Sequence, residues 1–390
     1  MSSLVFDVQP TDQTRDAIFA AIIEARKNPR ISDLHLYPHE VPSVRIDGDI
    51  APAGSNKLSV EALSDFLAAI AVDADAKKAL TRQFGAYTLV HEAPEIGRMR
   101  VTVYRSSVND AIAIRLLGDE PPELESLSLP PVFQRIVETD RGSSIIAGPV
   151  GTGKTTALAA VVKRIAATKT KTICILEEYA EYVHKSDKSI VRSIIIGPGG
   201  DAPTYEAALD TALKNDADII IIAEARSPEA LLAALVAADL GKRVILTVHI
   251  DSVTRFADRI LGAFPPEQQG MVRMLLAGQI QEVVYTQLPK RIEPTEKFGR
   301  IPACEILTRR SGFVSVVGDT EKAKSVSLEV ALQNYIGGGK EKGDRLLEDS
   351  LFDLARVKNL ISDDEALRVA IRPESLQSKF GGRPTEDGRW

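Results

Sequence analysis

SSIIAGPVGTGKTTALAAV, residues Ser143–Val161, decides how this chain is read. Ser143–Ala147 is a short apolar run, and Thr156–Ala167 is rich in alanine with helical spacing. Between them Gly148, Pro149, Val150, Gly151, Thr152, Gly153, Lys154 and Thr155 match GxxxxGK(S/T) without a gap, and Thr156 follows. Glycines let the backbone curl so that successive N–H groups point inward at an anion. The helix beginning near Lys154 aims its positive dipole end at the same point. Lys154 adds a cation at the β- and γ-phosphates, and the Thr155 hydroxyl is a ligand for Mg²⁺. A glycine turn that merely ends in Lys-Thr lacks this strand–loop–helix setting, which is the context that confirms a phosphate loop.

Working outward, further apolar runs alternate with helical ones: Thr172–Leu176, Tyr205–Lys214, Ile219–Ala223, Ala230–Leu240 and Val244–Val248. Such alternation predicts βαβ units and a largely parallel sheet covered on both faces. Strand carboxyl ends in such a sheet face the ligand crevice. Three of these runs end in residues with chemistry to offer. Ile219–Ala223 ends in Glu224, a candidate for orienting or deprotonating the attacking water. Thr172–Leu176 ends in Glu177 and Glu178, with Glu181 close behind, as a Mg²⁺ or water-positioning group. Acidic residues after strands also serve as helix caps, so that signal is weak alone. Val244–Val248 ends in His249, a candidate γ-phosphate sensor.

Ahead of the loop the pattern changes. Thr14–Lys27 carries Ile18, Phe19, Ile22 and Ile23 at helical spacing, and Pro29 stops it. Ser32–Ile50 reads as short strands with an Asp47-Gly48 turn, Leu58–Leu80 as helix, and Arg98–Val103 and Ala111–Leu117 as strands of the same small sheet. Pro121-Pro122 and Pro130-Pro131 favour an extended link. The expected division is therefore an N-terminal domain over 1–118, a proline-rich linker over 119–131, an ATPase domain over 132–375 and a disordered tail over 376–390. Beyond Phe264 the chain reads as mostly helical, broken at Gly337–Gly339.

The 390 residues suit two domains, and 44% hydrophobic with 26% charged residues is a globular composition. A net charge of −6 gives no basic footprint, so direct nucleic-acid binding is not expected. MSSLVFDVQP lacks a basic start with an apolar core, so no secretory signal is expected, and no apolar stretch is long enough to cross a bilayer. Cys174 and Cys304 sit in apolar runs and read as reduced core thiols; with no CxxC pair, a cysteine-built zinc site is excluded.

Taken in order, SDLHL…RIDGDI, GPVGTGKTT, ILEEYAEYVH, ADIIIIAEARSPE and ILTVHIDSVTRFADRIL resemble the N-terminal signature, Walker A, Asp box, Walker B and His box of the type II/type IV secretion traffic ATPases, most of all the PilT-like branch. The resemblance runs from about Ser32 to Ser362. It implies an α/β chain: a small PAS-like N-terminal domain and a RecA-like P-loop domain with a helical C-terminal part. It implies ATP hydrolysis with Mg²⁺, a homo-hexameric ring, and a cytoplasmic place at the inner membrane held through machinery proteins. Carried over by position, Glu224 is the Walker B glutamate, Arg226 the arginine after it, Glu177, Glu178 and Glu181 the Asp-box acids, and His249 the His-box residue. Arg100 and Arg115 match arginines that the N-terminal domain supplies to the nucleotide; a further one falls on Val108, with Arg105 nearby.

Departures from the pattern set the finer expectation. Tyr179 and Ala180 replace the Pro-Ile pair of the Asp box, and Ala223 replaces the Walker B glycine. SGFVSVVGDT (311–320) stands where retraction ATPases carry AIRNLI. This favours a type IVB secretion or conjugation ATPase of the DotB or TraJ kind, with pilus retraction as the alternative; lack of four zinc-binding cysteines argues against the pilus-assembly branch. A RecA-like helicase and a nucleotide-gated scaffold are the rivals from other classes. Either Glu224 or Glu177 is the general base.

Overall fold

The computed structural model describes residues 15–71, 86–106, 109–197, 199–318 and 327–381. Two compact units divide the chain: Met1–Asp119 with Pro294–Gly299, and Glu120–Glu293 with Arg300–Trp390.

In the N-terminal unit, α1 (Arg15–Arg26) and α2 (Val60–Ile70) cover one face of an antiparallel sheet. Its strands are β1 (Ile31–Leu36), β2 (Ser43–Ile46), β3 (Asp49–Pro52), β4 (Ala86–Ala93), β5 (Gly97–Ser106) and β6 (Asn109–Leu116), in the order β3-β2-β1-β6-β5-β4. Alternation explains the one-sided cover: Leu34, Leu36, Val101, Val103, Ile112 and Ile114 are buried against the helices. Asp33, Arg115 and Arg100, each one position along from the buried Leu34, Ile114 and Val101, therefore lie on the other face. α2 ends at Ile70, short of the expected Leu80, and residues 72–85 lie outside the described residues, as does Val108.

The second unit is a mainly parallel sheet. Its strands are β7 (Gly142–Ala147), β8 (Thr172–Glu177), β9 (Ile190–Ile195), β10 (Ile219–Ile222), β11 (Arg243–Val248), β12 (Ile280–Gln287) and β13 (Ala303–Thr308), in the order β13-β12-β7-β11-β10-β8-β9. Only β13 runs antiparallel to its neighbour. β7, β10 and β11 are buried at every position, as strands covered on both faces must be. One face carries α3 (Val132–Glu138) and α4 (Lys154–Thr168); the other carries α5 (Tyr205–Lys214), α6 (Pro228–Asp239), α7 (Phe256–Leu261) and α8 (Pro266–Gln279). Thr204 and Ser227 cap α5 and α6 by accepting from the backbone N–H of Ala207 and Ala230. The C-terminal part adds α9 (Phe313–Gly318), α10 (Leu328–Gly337), α11 (Leu347–Phe352), α12 (Asp363–Val369) and α13 (Pro373–Phe380).

Three expectations need correction. The stretch after Phe264 holds strands β12 and β13 as well as helices, because Val283, Val284, Ala303, Ile306 and Leu307 fill the sheet core. The proline-flanked link is partly packed: Leu124–Leu127 forms a 3-10 turn whose Leu124 is buried in the core of the second unit. The tail does not begin at 376, since α13 runs to Phe380 with Leu376 buried; residues 382–390 lie outside the described residues.

Candidate active site

β8, β10, β11 and β7 are consecutive neighbours, so the loops after their carboxyl ends open on one edge of the sheet. Val248 pairs with Ala147, and Ile222 pairs with both Leu246 and Leu176, which sets the phosphate loop, His249, Glu224 and the Glu177–Glu181 segment side by side.

Gly148 has φ near +147°, and a Cβ there would stand 2.6 Å from the Thr286 carbonyl and 2.7 Å from Thr152 Oγ1. Only glycine fits this first bend. Gly153, at φ +83°, turns the chain into α4. Thr152 Oγ1 donates to the Pro149 carbonyl at 2.9 Å, and Arg300 Nη1 donates to the Gly151 carbonyl at 3.0 Å. Lys154 is buried, and its Nζ donates to the carbonyls of Gly148 and Pro149, both at 2.8 Å. Burial pushes the Lys154 pKa down to about 8, with Glu224 pulling it up and Arg226 adding to the fall. The lysine is thus folded onto acceptors of its own loop, ready to exchange them for phosphate oxygens.

Glu224 follows β10, and its carboxylate meets two cations or donors. Its Oε2 accepts from Arg226 Nη2 at 2.6 Å, and its Oε1 contacts His249 Nε2. Nδ1 of the same imidazole lies 3.4 Å from Lys154 Nζ. Arg226 also reaches Glu178 Oε2 at 3.5 Å. Burial opposes the charge on Glu224, but Arg226 and His249 outweigh it and hold the carboxyl below its ordinary range. Glu224, Glu178, Arg226, His249 and Lys154 therefore form one connected group at the loop.

The other acids sit differently. Glu177 is buried, and its Oε1 accepts from Ser193 Oγ of β9 at 2.6 Å. Glu177, Glu181, Tyr182, His184 and Thr155 line a small cavity beside α4. Burial drives the His184 pKa down to about 4, so its ring is neutral at pH 7. Tyr182 donates its hydroxyl to Thr156 Oγ1 at 3.4 Å, and Tyr205 donates its hydroxyl to the Glu224 carbonyl at 2.9 Å. Tyr182, Tyr205, Thr286 and Arg300 were not among the residues expected from sequence. Tyr182 lies within the Asp-box stretch, whereas Thr286 and Arg300 carry no local signal.

Arg100 and Arg115 belong to the N-terminal unit. They are directly opposed across β5 and β6, and Asp33 opposes Arg115 from β1. Arg115 Nε donates to Asp33 Oδ1 at 2.9 Å, and Arg45 Nε lies 3.9 Å from Asp33 Oδ2. Glu92 of β4 pairs with Arg98 at 3.2 Å.

A phosphate loop, a strand-end glutamate and a histidine bridging to the loop lysine define a P-loop ATPase. Comparison with known proteins agrees. The family described as type II/IV secretion system protein matches residues 32–297. A type IV pilus retraction ATPase, PilT of Pseudomonas aeruginosa, is 30% identical over 345 residues, 88% of this chain and 96% of that protein. A crystal structure of the pilus retraction motor PilT with bound ADP superposes with a TM-score of 0.76 at 27% identity, covering 93% of this chain and 99% of that one. The ATPase DotB of Legionella pneumophila superposes with a TM-score of 0.77 at 20% identity, over 94% and 98% of the two chains, and shows the same fold. The chain belongs to the type II/IV secretion system protein family, on its PilT-like branch, and is a motor ATPase of the secretion or pilus kind.

Proposed function

We propose that this ATPase drives type IV pilus retraction, working as a homo-hexameric ring at the cytoplasmic face of the inner membrane. The observation that carries the reading is the near end-to-end likeness to a pilus retraction ATPase. It favours retraction over a type IVB secretion or conjugation role. One feature keeps that second reading in play: SGFVSVVGDT (311–320) stands in place of the AIRNLI stretch, and within it Phe313–Gly318 form the short helix α9 with Phe313 buried against Tyr335. No described helix is long and apolar enough to cross a membrane.

In this mechanism Gly148–Thr156 cradle the phosphates of ATP, and Lys154 leaves its loop carbonyls for the β- and γ-phosphates. Thr155 and Glu178 supply hard oxygen donors suited to Mg²⁺, and among the described residues no group of three or more acids, histidines or cysteines is gathered to hold a metal alone. That suits an ion bound through one or two protein oxygens and substrate phosphates. When bound, Mg²⁺ neutralises charge on the β- and γ-oxygens. Glu224 orients the attacking water and takes its proton; His249, touching both Glu224 and Lys154, reads the γ-phosphate. Glu177 and Glu181 line the cavity that Thr155 faces and add negative charge beside it. Arg100 and Arg115 of the N-terminal unit neutralise the departing phosphoryl group, and the units shift on hydrolysis.

Deleting the gene separates the two transport readings. Loss of a retraction motor leaves surface fibres extended and abolishes surface motility, and Lys154→Ala fails to restore it. Fibres that still withdraw, together with a lost export or transfer activity, contradict retraction.

A further inference from the structure

Glu305 lies in the middle of β13 with none of its surface exposed. A carboxylate in that position is costly unless its oxygens are matched by donors. Here three donors converge on it. Oε2 accepts from Ser252 Oγ at 2.9 Å and from the Val253 backbone N–H at 2.6 Å. Oε1 accepts from Arg372 Nη2 at 2.9 Å. Arg372 also donates from its backbone N, Nε and Nη2 to Glu348 of α11, at 2.8, 3.1 and 2.9 Å. Glu348 is likewise buried.

The groups joined in this way come from distant parts of the chain. Ser252 and Val253 begin the 3-10 turn Val253–Arg255, three residues after His249. Arg372 immediately precedes α13. The His249 loop is thus held at both ends: Val248 pairs with Ala147 in the sheet, and Ser252–Val253 rest on Glu305. Ser252 cannot turn away freely, because its hydroxyl also accepts from the Thr254 N–H at 3.0 Å. A glutamine at 305 would offer one acceptor oxygen where three donors converge, and would set an amide N–H₂ against one of them.

We infer that Glu305 is a positioning residue for ATP hydrolysis: its buried carboxylate sets the turn that carries His249 and ties that turn, through Arg372, to the C-terminal helices. The inference rests on the reading that His249 acts at the γ-phosphate. A carboxylate that only fastens the C-terminal helices to the sheet alters stability alone; one that positions His249 alters kcat.

The test uses the full-length protein, with steady-state ATP turnover measured well below the melting temperature. Glu305→Gln should lower kcat about tenfold while KM for ATP stays within about twofold, since His249 would still be present but misplaced. In a His249→Ala background the same change should lower kcat no further, because both act through one group. Arg372→Lys, which keeps the charge and loses the fork, should lose less. If Glu305→Gln fails to fold, Ser252→Ala, which removes one donor but leaves the Glu305–Arg372 ion pair and the Val253 N–H in place, should still lower kcat severalfold at unchanged KM. Parental kcat in the folded Glu305→Gln or Ser252→Ala protein overturns the inference, as does a full second loss in the double variant. Parental kcat in His249→Ala alone overturns the histidine reading beneath it.

Discussion

ATP binding should draw a proton into the site, and Lys154 should be its destination. Lys154 is 7% exposed and its pKa is pushed down to about 8 by burial, Glu224 notwithstanding. A triphosphate replaces two carbonyl acceptors with anionic oxygens, which favours the charged amine. With nucleotide bound the lysine therefore stays protonated well above pH 8. The sign follows directly. Below pH 7 the free lysine is already charged and binding moves few protons; above pH 8 it is mostly neutral and binding must import one. Between pH 7 and pH 9 the apparent affinity should fall about tenfold, with uptake of about half a proton per site at pH 8. Phosphate ionisation, with a second pKa of about 6, contributes little in that range. Titration calorimetry in buffers of different ionisation enthalpy measures the uptake, with Glu224→Gln bound to a non-hydrolysable analogue as a check on hydrolysis. Lys154→Gln should bind weakly and lose the dependence on pH. An affinity flat from pH 7 to pH 9 would refute the picture of a desolvated lysine waiting on its own loop.

Two other substitutions probe separate parts of the molecule. Glu282 is fully buried and accepts from Ser144 Oγ, from Arg135 Nε at 3.1 Å and from Thr139 Oγ1 at 3.1 Å, beside an Arg243 that is 1% exposed. Glu282→Ala leaves that guanidinium without its counter-charge and should cost about 3–5 kcal/mol, read as a melting temperature lower by on the order of 10 °C; a change of about 2 °C or less contradicts the network. Arg115→Ala should depress turnover by about a thousandfold with ATP affinity nearly intact if the arginine reaches the transition state. A purely structural Arg115–Asp33 pair, partly exposed, predicts parental turnover and a loss of about 1 kcal/mol or less.

Much of the ATPase core was legible because its signals are local. Ser143–Ala147, Ile219–Ala223 and Val244–Val248 are apolar runs of strand length bounded by Gly148, Glu224 and His249, and the structure places strands on all three. The phosphate loop reads from spacing alone, since its glycines answer to backbone geometry. β12 and β13 were missed for a physical reason. α8 passes directly into β12 between Gln279 and Ile280; Gly278 lies inside the helix and no loop separates the two elements, so the helical period bleeds into IQEVVYTQ. β9 was missed because it is the edge strand, where Arg192 and Ser193 interrupt the apolar run. The N-terminal domain was readable as strands, but the pairing of Arg115 with Asp33 depends on a register between β1 and β6 that spans 82 residues. The Glu305–Arg372–Glu348 group was likewise out of reach, because three isolated charges in three elements carry no motif.

In the proposed mechanism Glu224 prepares water for attack on ATP held by the Lys154 loop. The measurement that tests it most directly is single-turnover hydrolysis by Glu224→Gln, with nucleotide affinity measured on the same protein and Glu177→Gln run beside it. Glu224→Gln should bind ATP within a fewfold of the parent and hydrolyse it about a hundredfold or more slowly, while Glu177→Gln, whose carboxylate is turned to Ser193, should lose less. Parental hydrolysis by Glu224→Gln, or a larger loss in Glu177→Gln, contradicts the assignment.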